Sequence, residues 1–137
     1  MNWIAKRRND LHAVLLDTNV WSWTLLGNRR LTQAAQDAND TARTRYLSPV
    51  SLYEVGQKAR LGKWPEIAPH VQRLRELAEA QGLDFARLDG DICLRAGTMD
   101  WSHRDPFDRL LAATALHYGV PIISADPVFD GVVSRVW

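Results

Sequence analysis

From residue 13 onward, short apolar runs alternate with longer amphipathic segments, and no other pattern in the chain narrows its possible folds as far. Ala13-Val14-Leu15-Leu16, Arg45-Tyr46-Leu47-Ser48, Asp84 to Leu88 and Val120 to Ser124 have the length and apolar content of buried strands. Val132 to Trp137 reads as a last edge strand. Between them lie helical segments: Val20 to Leu26, Leu31 to Ala38, Pro49 to Leu61, an amphipathic stretch from Val71 to Ala78, Asp89 to Met99, and Pro106 to Tyr118. Gly27, Gly62, Gly82 and Gly119 stand where four of these should stop. Strand–helix alternation of this kind predicts an α/β fold, a three-layer α/β/α sandwich with a mainly parallel central sheet. Functional groups in such a sheet gather at the carboxyl ends of the strands.

The segment His103-Arg104-Asp105-Pro106-Phe107-Asp108 shows how a helix can deliver chemistry to that edge. Asp105 is a good N-cap and Pro106 suits the first helical position. Asp108 then falls in the first turn, where the helix dipole favours its ionised form. If Asp105 accepts the free N–H groups of the first turn, the Asp108 carboxylate is left for another task.

Three more acids occupy comparable places. Asp17 ends the first strand, Asp126 follows Ser124 at the end of the fourth, and Glu54 sits one turn into a helix. Singly, each reads as a cap or a solvated acid. Together, Asp17, Glu54, Asp108 and Asp126 make a costly concentration of negative charge that a hard divalent cation would relieve. An oxygen-only donor set favours Mg²⁺ or Mn²⁺ over zinc. His12, His70, His103 and His117 have no metal-ligand spacing and read as surface or satisfied groups. No glycine-rich phosphate loop and no Gly-x-Ser-x-Gly elbow occurs.

Composition sets the outer bounds. At 137 residues the chain reads as one domain, 13–137, preceded by a polar extension, 1–12, that carries Lys6-Arg7-Arg8. A net charge of +1 argues for no nucleic-acid partner by itself and leaves room for a local basic rim. The single cysteine, Cys93, excludes an internal disulfide, fits a reducing cytoplasm, and reads from its neighbours Ile92 and Leu94 as a small core residue. No apolar run approaches membrane-spanning length. Of the six tryptophans, Trp21 and Trp23 lie with Leu25 and Leu26 on a helix whose face is either core or a partner groove.

Four segments carry a resemblance: Val14 to Trp21; Ser48 to Val55 continuing through Lys58 to Lys63; His103 to Ala112; and Ser124 to Phe129. In order and spacing they resemble the PIN-domain nucleases, and more closely the VapC-type toxins of bacterial toxin–antitoxin pairs, from Ala13 to Trp137. The resemblance implies a PIN-like α/β/α fold and a Mg²⁺- or Mn²⁺-dependent endoribonuclease. It also implies a homodimer, and inhibition by a small antitoxin whose tail fills the active-site groove. Carried onto this chain, it makes Asp17, Glu54, Asp108 and Asp126 the acidic core, with Asp17 and Asp108 foremost as metal ligands. Asn19 and Ser124 match supporting positions, and Asp105 belongs to the signature as either cap or catalytic group. The residues before Ala13 depart from the pattern, since most relatives begin almost at the first strand.

Chemistry of this type uses water activated by the ion and leaves a 5′-phosphate and a 3′-hydroxyl. Arg104, Arg109, Lys58 and Arg60 are candidates for a phosphate-binding rim. The rival readings are a structure-specific DNA nuclease on the same fold and a catalytically silent protein-binding module.

Overall fold

The computed structural model describes residues 12–137, so the expected N-terminal extension with its Lys6-Arg7-Arg8 triplet lies, apart from His12, outside the described residues. Five strands form one parallel sheet: β1 (Ala13–Leu16), β2 (Thr44–Leu47), β3 (Asp84–Phe85), β4 (Ile122–Ile123) and β5 (Arg135–Val136). Their order is β3-β2-β1-β4-β5. The chain therefore builds outward on one side of β1, then crosses over and continues on the other. That reversal puts a topological switch point between β1 and β4, with Leu15 opposite Ile122 and Leu16 opposite Ile123.

Among the described residues, six helices cover the sheet: α1 (Thr18–Leu25), α2 (Gln33–Thr41), α3 (Pro49–Arg60), α4 (Leu74–Ala80), α5 (Gly90–Thr98) and α6 (Pro106–Tyr118). Alternation along β1 divides the core between the two faces. Val14 and Leu16 pack with Val20, Trp21, Ala35, Ala38, Val55, Leu74 and Ala78 from α1 to α4. Leu15 points the other way, to Val50, Leu111, Ala112, Ala115 and Phe129. Helix α6 is buried on two sides, because Ala113 also meets Ile92 and Ala96 of α5. Its run of small residues, Ala112-Ala113-Thr114-Ala115, lets sheet and helix both approach closely. Gly119 ends α6 at φ 65°, a left-handed backbone that an L side chain resists.

Local signals fared differently. Pro49 and Pro106 open α3 and α6 as expected. The single amphipathic helix expected from Val71 to Ala78 is instead a 3₁₀ segment, Ala68–Arg73, leading into α4. Cys93 is a correction: it is exposed on α5, since the buried stripe of that helix is Ile92 and Ala96 and the next residue round faces water.

Candidate active site

Asp17 leaves the end of β1 and is the N-cap of α1, its Oδ1 accepting the Thr18 N–H at 2.7 Å. The expected helix start at Val20 thus moves back to Thr18. The other oxygen, Oδ2, accepts a 2.6 Å hydrogen bond from Ser124 Oγ at the end of β4. Ser124 Oγ also accepts the Asp126 N–H at 3.0 Å, so one buried hydroxyl ties β1 to the turn after β4. Asp17 is 8% exposed, and its pKa is pushed up to about 6. Burial is the main cause, the charges of Asp108 and Glu54 add to it, and the bonds from Ser124 and Thr18 oppose it.

Asp108 lies in the first turn of α6, and its Oδ2 is 2.7 Å from His103 Nε2. Its pKa is raised as well: burial outweighs the His103 hydrogen bond, and the neighbouring charges of Asp105 and Asp126 push the same way. The helix dipole alone predicted a readily ionised group; desolvation reverses the balance. Asp105 caps α6, accepting the N–H of Phe107 at 2.8 Å and of Asp108 at 3.2 Å. Asp126 is exposed and caps a 3₁₀ turn, Pro127–Phe129, through the Val128 N–H at 3.0 Å. It feels the cluster through its charge on Asp108.

Glu54 stands on α3, and its carboxylate is 3.3 Å from Lys58 Nζ one turn on. The helix is keyed to α1 by buried Thr18 and Ser51, whose hydroxyls are 2.8 Å apart. Asn19 lies in the first turn of α1, makes no side-chain hydrogen bond among the described residues, and lines a surface cavity beside the cluster.

Two candidates for the phosphate rim change role. Arg109 reaches four main-chain carbonyls: Ala96 at 2.7 Å, Met99 at 2.6 Å, Trp101 at 2.6 Å and His103 at 2.9 Å. Its guanidinium is consumed in holding the loop between α5 and α6, because that loop's carbonyls have no strand or helix to pair with. Lys58 is shared between Glu54 and the Trp64 ring, 5.2 Å from its centroid. Arg104 and Arg60 remain exposed.

His103 is the residue that reading by sequence undervalued. Its place two residues before the cap Asp105 was the available signal, but only the loop clamped by Arg109 turns its ring back onto Asp108. Thr18 and Ser51 were likewise missed, since their pairing spans 33 residues.

The four carboxylates thus lie toward one sheet edge, and their charges add to the burial that raises the proton affinity of Asp17 and Asp108. Among the described residues, no three His, Cys, Asp or Glu side chains are already gathered at metal-ligand spacing. The donors are oxygens, two of them on desolvated carboxyls, and this chemistry fits a hard divalent cation.

A five-stranded parallel sheet with the switch-point cluster defines an α/β fold whose acids converge at the carboxyl edge. Residues 14–133 match the family model of the PIN domain, and the chain belongs to that family. Nine chains of solved structures match the chain, and two of them illustrate the shared fold. One is VapBC2 from Rickettsia felis bound to a DNA fragment from their promoter, with 12% identity, a TM-score of 0.59, and coverage of 90% of this chain and 96% of that one. The other is FitAcB from Neisseria gonorrhoeae, with 20% identity, a TM-score of 0.54, and coverage of 89% and 95%. No curated protein sequence matches the chain. No helix among the described residues is long and apolar enough to cross a membrane.

Proposed function

We propose that the protein is a Mg²⁺- or Mn²⁺-dependent endoribonuclease and the toxin of a toxin–antitoxin pair. The observation that carries the reading is Asp17: a carboxyl buried at the switch point, its pKa raised to about 6 by burial and by Asp108 and Glu54. A cap or a buried hydrogen-bond acceptor needs no such desolvated charge, and a carboxyl held this way points to a task for which a cation offsets the charge. PIN domains are generally nucleases that use divalent metals.

Asp17, Glu54, Asp108 and Asp126 would hold one or two ions, and such ions would supply water activation and charge neutralisation for phosphodiester hydrolysis. Ser124 holds the Asp17 carboxylate in one rotamer. His103 does the same for Asp108, since its Nε2 contact engages Oδ2 and leaves Oδ1 free. Arg109 acts at one remove by fixing the His103 carbonyl. Arg104 is the exposed cation of this segment and the candidate for phosphate contact.

The VapC-like motifs and the fold shared with VapBC2 support a small antitoxin protein as inhibitor, and the motif resemblance alone implies a homodimer as the working form. The test is cleavage of structured RNA in Mn²⁺, with DNA of matched sequence alongside. Products with 5′-phosphates from RNA, none from DNA, and none in EDTA or from Asp17→Asn are expected. Full cleavage by Asp17→Asn would end the model, and DNA cut as fast as RNA would favour a DNA nuclease.

A further inference from the structure

Beside the acidic cluster, a cavity of about 340 Å³ is lined by Asn19, Trp23, Arg30, Lys58, Lys63 and Trp64. It runs on into a second, of about 450 Å³, that shares Trp23, Arg30 and Trp64 and adds Leu26, Asn28 and Glu66. Two residues join this cleft to the site. Asn19 follows Asp17 by two positions in α1, and the Lys58 ammonium is 3.3 Å from Glu54. We propose that Trp23 and Trp64 form a base-stacking platform for single-stranded RNA leading away from the acidic cluster, with Arg30 and Lys63 taking its phosphates.

This rests on the RNA reading above and names the surface that would hold the substrate. Both indoles are half-buried, so they are held in place yet keep exposed surface. Trp23 is braced by Trp137, with ring centroids 5.9 Å apart. Each ring carries a cation: Arg30 lies 5.5 Å from the Trp23 centroid and Lys58 lies 5.2 Å from that of Trp64. Stacked rings interleaved with cations are the general solution for unpaired nucleotides, since every base has a flat face and every linkage a charge. Arg30 and Lys63 line the two cavities beside one carboxylate, Glu66, while Lys58 is paired with Glu54. Arg30 and Lys63 are exposed and have no carboxylate within salt-bridge distance among the described residues. A duplex would hide its bases from these rings, so the platform selects single strands.

The test is binding of fluorescent decauridylate in EDTA, which prevents cleavage, followed by anisotropy. Trp64→Leu should weaken binding about tenfold, and Trp64→Phe should recover most of it, since leucine fills space and only phenylalanine offers a ring. An oligomer with central abasic sites should bind the parent protein about as poorly as decauridylate binds Trp64→Leu. Arg30→Ala and Lys63→Ala should each lower the slope of log affinity against log salt by about 0.7. Melting curves for every variant separate lost binding from lost folding. Unchanged affinity in a folded Trp64→Leu protein that still cleaves RNA in Mn²⁺ overturns the platform and leaves the nuclease reading intact. So does a Trp64→Leu protein that keeps its RNA affinity but no longer retains a co-expressed antitoxin, which makes the cleft a protein groove. Tryptophan-dependent binding by a protein that cuts no RNA in Mn²⁺ supports the platform and overturns the nuclease reading.

Discussion

Ser124 Oγ donates a 2.6 Å hydrogen bond to Asp17 Oδ2 across 107 residues of sequence, joining the ends of β4 and β1 inside the core. The bond opposes the burial that raises the Asp17 pKa. Ser124→Ala should therefore raise that pKa above about 6 and move the acidic limb of the cleavage profile to higher pH. It should also cost about 2 kcal/mol of stability, as expected for a lost hydrogen bond to a charged group. A pH–rate profile with a melting curve at pH 7.5 checks both.

Asp17 sets the pH dependence of stability in the metal-free protein. Its folded pKa, about 6, lies above the ordinary 3.8, so the fold binds its proton more tightly than the unfolded chain does. That stabilisation is full below about pH 4 and is lost as pH rises through 6, a change on the order of 3 kcal/mol. Asp108 shifts in the same direction. Asp130, lowered by Arg135, shifts in the opposite one and favours the fold above its own range. Asp17→Asn should flatten the dependence between pH 4 and 7 and raise the melting temperature at pH 7. Urea titrations across that range measure it.

Metal should act on the same balance. A cation bound only by the folded protein adds about 2.7 kcal/mol at a hundred times its dissociation constant. Mn²⁺ should raise the melting temperature of the parent protein at pH 7, with a much smaller effect on Asp17→Asn and Asp108→Asn. Differential scanning calorimetry with and without EDTA is the measurement, and equal shifts in all three proteins would count against the acidic cluster as the site.

Asp105 and Asp108 should part company on substitution. The Asp105 carboxylate already accepts two backbone N–H groups, so Asp105→Asn should be mild and Asp105→Ala should cost about 1 kcal/mol. Asp108→Asn should abolish cleavage while the fold holds. Loss of cleavage in Asp105→Asn at an unchanged melting temperature would place Asp105 in the chemistry as well.

Arg109→Met should destabilise the protein by several kcal/mol, because four carbonyl acceptors lose a charged donor at once. The loss should be local as well as global. Hydrogen exchange should rise most in residues 99–103, and Arg109→Lys should rescue little, because an ammonium cannot span the fork.

How much of this was legible in the sequence depends on the range of the interaction involved. The caps Asp17, Asp105 and Asp126, the prolines that open α3 and α6, and the glycine that ends α6 act within a turn of chain, so residue order alone determined them. Apolar periodicity likewise determined that strands alternate with helices, and so which acids stand at strand ends. Tertiary structure decided what those acids became. Strand order β3-β2-β1-β4-β5 seats β4 beside β1 and brings Ser124 to Asp17, a pairing with no local signature. Burial then turned an ordinary cap into a carboxyl of raised proton affinity, and reversed the dipole's expected effect at Asp108. Packing also moved Arg109 from surface to clamp, brought His103 onto Asp108, and left Cys93 in water. Backbone geometry is settled by neighbours in sequence, whereas desolvation and charge coupling depend on which distant groups the fold sets side by side.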